Sequence, residues 1–204
     1  TEKISICENL GVNEKNNLTL GGVDAVQMLE KYGSPIYLFD EDRIRKNASL
    51  YVSAMRECFG ESAKALYASK AASYKEIYRI MKSMGMGIDV VSSGEIYTAL
   101  KADYPLEKAY FHSNNKTDED IAFAIDNGIG YFVCDNIEEV NAISEIATEK
   151  GVMQNILLRL TPGIDPHTYE AVNTGKVDSK FGSAIETNQA FEITRMTLGL
   201  PGIK

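Results

Sequence analysis

Short apolar runs recur along this chain at a nearly constant interval, and that recurrence limits the fold more than any other feature. Candidate strands begin near Ala65, Ile88, Ala109, Tyr131 and Ile156, about 21 to 25 residues apart. Stretches with helical spacing lie between them, each opened by a residue that can cap it. Ser73 precedes 74–84, Ser92 precedes 93–102, Thr117 precedes 118–127 and Asn136 precedes 137–150, while Thr187 is expected to open a further helix after the fifth strand. Ser73 with Glu76, and Ser92 with Glu95, have capping-box spacing, so Glu95 has a structural explanation that needs no chemistry. Strands alternating with helices at this period predict parallel βα units. The right-handed crossover rule then leaves a doubly wound sheet or a (β/α)8 barrel. No Gly-x-Gly-x-x-Gly follows the first of these strands, which argues against a dinucleotide-binding sheet.

About five such units are present where a closed barrel needs eight, so the expected α/β fold is an incomplete TIM-type barrel. Residues 199–204 read as a loop leading into a next strand. An open half barrel leaves one strand edge unpaired and part of its interior exposed. Upstream, residues 1–34 read as an N-terminal segment, and residues 35–204 as the barrel part. The segment holds a short strand at Leu18–Leu20 and a short helix over 23–32. Pro35–Phe39 reads as a strand ending at Asp40, which suits the N-cap of a helix with apolar positions Ile44, Ala48, Tyr51, Met55 and Cys58; Gly60 ends that helix. The connection 161–182, with Pro162, Pro166 and three glycines, has little periodicity. Structureless loops of that length are usually functional or disordered.

Composition narrows the partners. The 204 residues carry 21 basic and 29 acidic side chains, a net charge of −8, which disfavours nucleic acid and anionic membrane surfaces and leaves small molecules. Cys7, Cys58 and Cys134 are widely spaced without a CxxC, so neither a disulfide framework nor a zinc site is expected. His112 and His167 are the two histidines, too few for a histidine-rich metal site. No apolar run reaches the roughly 20 residues of a membrane helix, and the start lacks a signal-peptide core. A soluble, cytoplasmic protein is the expectation.

If the strands are parallel, their carboxyl ends gather Lys70, the Asp89–Ser93 turn, His112 to Asn115, Asp135 and Arg159 around one mouth. A lysine partly withdrawn from water is pushed toward the neutral amine that attacks a carbonyl to form a Schiff base; the alternative is a solvated surface charge. Asp89, amid β-branched neighbours, is costly unless paired with a lysine or a donor on a ligand, or unless it reaches water. Arg159, between leucines, needs an anion or a structural salt bridge.

Five segments taken together resemble a known family. They are Tyr67-Ala68-Ser69-Lys70-Ala71, Gly87 to Glu95 (GIDVVSSGE), His112 to Thr117 (HSNNKT), Leu158 to Thr168 (LRLTPGIDPHT) and Thr174 to Gly182 (TGKVDSKFG). In this order they are similar to the fold-type III, pyridoxal-phosphate-dependent decarboxylases of basic amino acids, and within these to the branch acting on diaminopimelate. The resemblance implies an alanine-racemase-like (β/α)8 barrel and pyridoxal 5'-phosphate as cofactor. It makes Lys70 the lysine that holds the cofactor, with Asp89, Arg159, His112 and Ser113 lining its pocket. Lys180 matches a residue that pairs across a homodimer interface in related enzymes. The activity implied is decarboxylation of meso-2,6-diaminopimelate to L-lysine, the last step of lysine biosynthesis. Alternatives are another basic amino acid, carboxynorspermidine, or a non-catalytic βα domain. Ser93 and Ser113 stand where glycine is common in the family, and Tyr169 where histidine is frequent. The family's cofactor-stacking histidine, phosphate loop, pyridine-nitrogen partner and C-terminal β domain would fall beyond Lys204, so these residues alone are expected to bind cofactor poorly and not to turn over.

Overall fold

The computed structural model describes residues 7–164 and 181–204. The chain divides after Ala63 into two units.

In the first unit, β1 (Leu10–Val12) and β2 (Leu18–Leu20) form an antiparallel hairpin, and β3 (Val23–Asp24) pairs with β2. Val23 and Asp24 were expected to be helical, but Thr19 and Leu20 offer them a ladder. Asp24 then caps α1 (Ala25–Tyr32). Its carboxylate accepts from the Val26 N–H at 2.9 Å and from the side-chain amides of Asn13 at 2.7 Å and Asn17 at 3.0 Å. These bonds, that of Asn17 foremost, hold the carboxyl below its ordinary range. The Pro35–Phe39 strand does not form. The segment joins no sheet, and an extended stretch becomes a strand only by pairing; Tyr37 in it is 92% exposed. The helix after it, α2 (Glu41–Phe59), starts and stops as expected, with Asp40 accepting from the Arg43 N–H at 3.1 Å and Gly60 at its end. Of its expected apolar face Ala48 is buried, whereas Tyr51 is 62% exposed.

The second unit opens with β4 (Leu66–Ala68), α3 (Lys75–Ser83), β5 (Gly87–Val90), α4 (Ser93–Lys101) and β6 (Ala109–His112). It continues through α5 (Asp118–Asp126), β7 (Tyr131–Cys134), α6 (Ile137–Glu149) and β8 (Asn155–Leu158). The five strands pair in parallel in the order β4-β5-β6-β7-β8. Spatial order therefore equals chain order, the mark of a singly wound barrel; a doubly wound sheet reverses direction at a switch point. Ile203 bridges Gln154 in parallel, and the Lys204 N–H donates to the Gln154 carbonyl at 2.9 Å, so the chain begins to add to the outer edge of β8.

Successive residues of each strand face opposite ways. Ile88, Val90, Ala109, Phe111, Phe132 and Cys134 are buried on the face that the helices cover. The other face carries Asp89, Tyr110, His112 and Tyr131, all partly exposed, with the rings of Tyr110 and Tyr131 stacked at 4.5 Å.

Ser92, Thr117 and Asn136 cap α4, α5 and α6 as expected; at Thr117 the capping box closes with Asp120. Two expected caps fail. The Ser73 hydroxyl bonds instead to the Tyr78 hydroxyl at 2.9 Å, and the extended Tyr74 precedes α3. The last helix, α7 (Gln189–Thr197), follows Asn188 in the left-handed region (φ 65°), while the Thr187 hydroxyl turns back to the Ala184 carbonyl. The connection expected to be structureless is pinned at its neck. There β9 (Leu160–Thr161) and β10 (Ser183–Ala184) pair in parallel, and the Thr161 hydroxyl donates to the Phe181 carbonyl at 2.6 Å. His167, Thr168, Tyr169, the segment 174–180 and with it Lys180 lie outside the described residues. Among the described residues no helix is long and apolar enough to cross a membrane.

Candidate active site

Register brings the expected residues to one end of one face. The pairs Ala68–Asp89 and Asp89–Tyr110 set β4, β5 and β6 side by side, and His112, two residues beyond Tyr110, lies toward the carboxyl end. Lys70 sits just past β4 in a single 3-10 turn, Ser69–Ala71, with its side chain exposed. Bonds on either side hold this turn. The Tyr67 hydroxyl donates to the Ala72 carbonyl at 2.9 Å, and the fully buried Tyr78 meets Ser73.

Asp89 Oδ2 lies 3.3 Å from His112 Nδ1. Its other oxygen, Oδ1, is buried without a hydrogen-bond partner. A buried carboxylate oxygen without a donor costs free energy, and a donor on a bound molecule would recover it. Ser113, next along, is occupied with its own loop: its hydroxyl accepts from the Asn115 N–H at 3.3 Å and its carbonyl accepts from Lys116 Nζ at 2.7 Å. Arg159 follows β8 and forms a salt bridge, one of the two fates expected of an arginine among leucines, and adds a ring contact that its neighbours in sequence do not signal. Its Nη1 lies 3.4 Å from Asp135, and its guanidinium stacks 4.4 Å above the Phe181 ring.

The Ser92–Glu95 spacing predicts a capping box, and half of that box forms. Ser92 Oγ accepts from the Glu95 N–H at 3.2 Å, but the Glu95 carboxylate reaches past Ser92 to the Val91 N–H at 2.7 Å. Burial pushes its carboxyl up, as does nearby Asp89, while Lys70 draws it down. Glu95 thus shares the electrostatic environment of Lys70 and Asp89, which the capping pattern hid. Lys116 and Glu139, which meet at 2.5 Å behind Ser113, had no sequence signal of their own, being 23 residues apart.

An exposed amine, a carboxylate oxygen lacking a donor and a permanently charged guanidinium, all at the carboxyl ends of parallel strands, suit an occupant bearing a carbonyl, a donor and an anionic group. The residues fit pyridoxal phosphate. Residues 42–203 match the family of pyridoxal-dependent decarboxylases over its pyridoxal binding domain. The chain belongs to this family. Among the curated pyridoxal-dependent decarboxylases, the diaminopimelate decarboxylase of Bacillus methanolicus is 42% identical over 92% of this chain and 43% of its own length. That of Bacillus subtilis is 40% identical over 87% and 40%. The crystal structure of diaminopimelate decarboxylase from M. jannaschii superposes with a TM-score of 0.84 at 31% identity, covering 96% of this chain and 46% of that one. Its complex with L-lysine gives a TM-score of 0.82. The chain therefore spans less than half the length of these relatives.

Proposed function

We propose that this chain is the lysine-bearing part of a pyridoxal 5'-phosphate-dependent diaminopimelate decarboxylase, which converts meso-2,6-diaminopimelate to L-lysine and carbon dioxide. The observation that carries the reading is that Lys70 stands in the turn directly after β4, whose Ala68 pairs with Asp89 and its buried, donor-less oxygen. The names of the relatives support the substrate. Bound pyridoxal phosphate supplies an electron-withdrawing ring that takes up the pair left when the carboxylate departs.

The chain's own residues hold and orient. Lys70 is the covalent anchor, and its backbone is kept in place by the Tyr67–Ala72 bond, so the amine is delivered from a fixed point. Asp89 accepts from a donor on the occupant, and the Nδ1 contact of His112 fixes the plane of that carboxylate. Arg159, which cannot shed its charge, faces an anionic group while Asp135 and Phe181 keep it from swinging away. Ser113 shapes the loop after β6. In the whole enzyme we propose a cytoplasmic homodimer acting on a small amino acid, with no nucleic-acid or membrane partner.

The test is an absorbance spectrum of the purified chain with pyridoxal phosphate, before and after borohydride, beside Lys70→Ala. A weak band, formed at high cofactor concentration and fixed by borohydride to the peptide carrying Lys70, is expected. Equal fixation in Lys70→Ala would overturn the assignment of Lys70.

A further inference from the structure

Lys116 and Glu139 form a buried ion pair at the carboxyl ends of the strands, with side chains 0% and 6% exposed and Nζ 2.5 Å from Oε1. Two backbone carbonyls complete the surroundings of the ammonium: Ser113 at 2.7 Å and Val133 at 2.8 Å. The three donors of Lys116 are thereby all used. The second Glu139 oxygen, Oε2, accepts from the Asp135 N–H at 3.1 Å. A buried pair of this kind adds little stability over two apolar side chains of the same volume, because desolvation offsets the attraction. Stability alone therefore gives a poor account of a lysine placed here.

We propose that Lys116 and Glu139 are a positioning pair for the cofactor mouth. Each of their three backbone contacts lies where β6 or β7 delivers a residue to that mouth. Ser113 directly follows His112, Val133 is the penultimate residue of β7, and Asp135 directly follows Cys134. From Asp135 the effect passes to Arg159, because the Asp135 carboxylate, 3% exposed, is the anion beside that guanidinium. An apolar pair would fill the space but leave the Ser113 and Val133 carbonyls and the Asp135 N–H without these partners, and both segments would settle differently. The proposal rests on reading the mouth as the pyridoxal phosphate site.

Three proteins test it: the wild-type chain, Glu139→Gln, and the double variant Lys116→Met/Glu139→Leu. Three quantities are read: the thermal midpoint, hydrogen exchange of peptides 111–116 and 132–137 without cofactor, and pyridoxal phosphate affinity from the Lys70-dependent absorbance. The double variant is expected to melt close to wild type while exchange in those two peptides speeds up about tenfold and affinity falls about tenfold. Glu139→Gln keeps an oxygen for the Asp135 N–H but leaves the buried Lys116 charge without its anion, so it is expected to melt below the double variant while protecting 132–137 better and losing less affinity. A double variant that binds like wild type, exchanges like wild type or fails to fold overturns the proposal, the last because the pair would then be structural. If the wild type itself shows no Lys70-dependent signal, the reading that these residues hold the cofactor by themselves fails alone, and the exchange rates still decide whether the pair holds the two segments.

Discussion

At the carboxyl end of β5, one oxygen of Asp89 meets His112 and the other is buried without a donor. Folding gains nothing from that second oxygen, whereas an occupant with a donor does. Asp89→Asn is accordingly expected to leave the thermal midpoint unchanged or raise it, and to weaken pyridoxal phosphate binding about tenfold, or about 1.4 kcal/mol. Calorimetric melting and titration of the Lys70-dependent band measure the two effects, and unchanged affinity would remove Asp89 from the site. Residues of this kind were legible in the sequence because a charge amid apolar neighbours demands a partner. Asp89 and Arg159 announced themselves in that way. Glu95 did not, since a local capping pattern accounted for it, and the Lys116–Glu139 contact arises only once β6 and α6 are packed.

Strands and helices were the most legible level. All five barrel strands begin within a residue of where the apolar runs place them, and Ser92, Thr117 and Asn136 cap as their types suggest. The failures have tertiary causes: Ser73 lost its hydroxyl to Tyr78, and the 35–39 segment found no ladder. Gly130 shows how tightly the elements meet at the end opposite the site. Its N–H donates to the Leu106 carbonyl at 2.9 Å, its carbonyl accepts from the Gln154 and Asn155 side chains, and an added Cβ would run into the backbone of Glu107. Gly130→Ala is expected to cost about 1–3 kcal/mol of stability through this overpacking. Cofactor affinity of the folded protein should stay at the wild-type value, because this end of the barrel carries stability and not chemistry. Chemical denaturation read beside the absorbance titration separates the two.

For the molecule as a whole, acid sensitivity should differ between the two units. In the first unit Glu8 is held below its ordinary range by Lys46, Asp24 by Asn17 and Asp40 by Asn9; in the second unit Asp120 is also lowered, through bonds to Ser93 and Thr117. A carboxyl depressed in the folded state contributes stability above its unfolded value, near 4, and that contribution is lost as pH falls through the folded value. Hydrogen exchange from about pH 5 down to about pH 2 should therefore show peptides 9–45 opening before the sheet of 64–164. Simultaneous opening would contradict this. The sequence by itself determined the βα repetition, the strand and helix positions, and the lysine at the first barrel strand's end, because these follow from periodicity and local hydrogen bonding within a few residues. Only the tertiary structure decided that the strands lie in chain order, that His112 meets Asp89 and Asp135 meets Arg159, and that Lys116 finds Glu139. Those depend on parallel register between segments more than 20 residues apart, which no local pattern encodes.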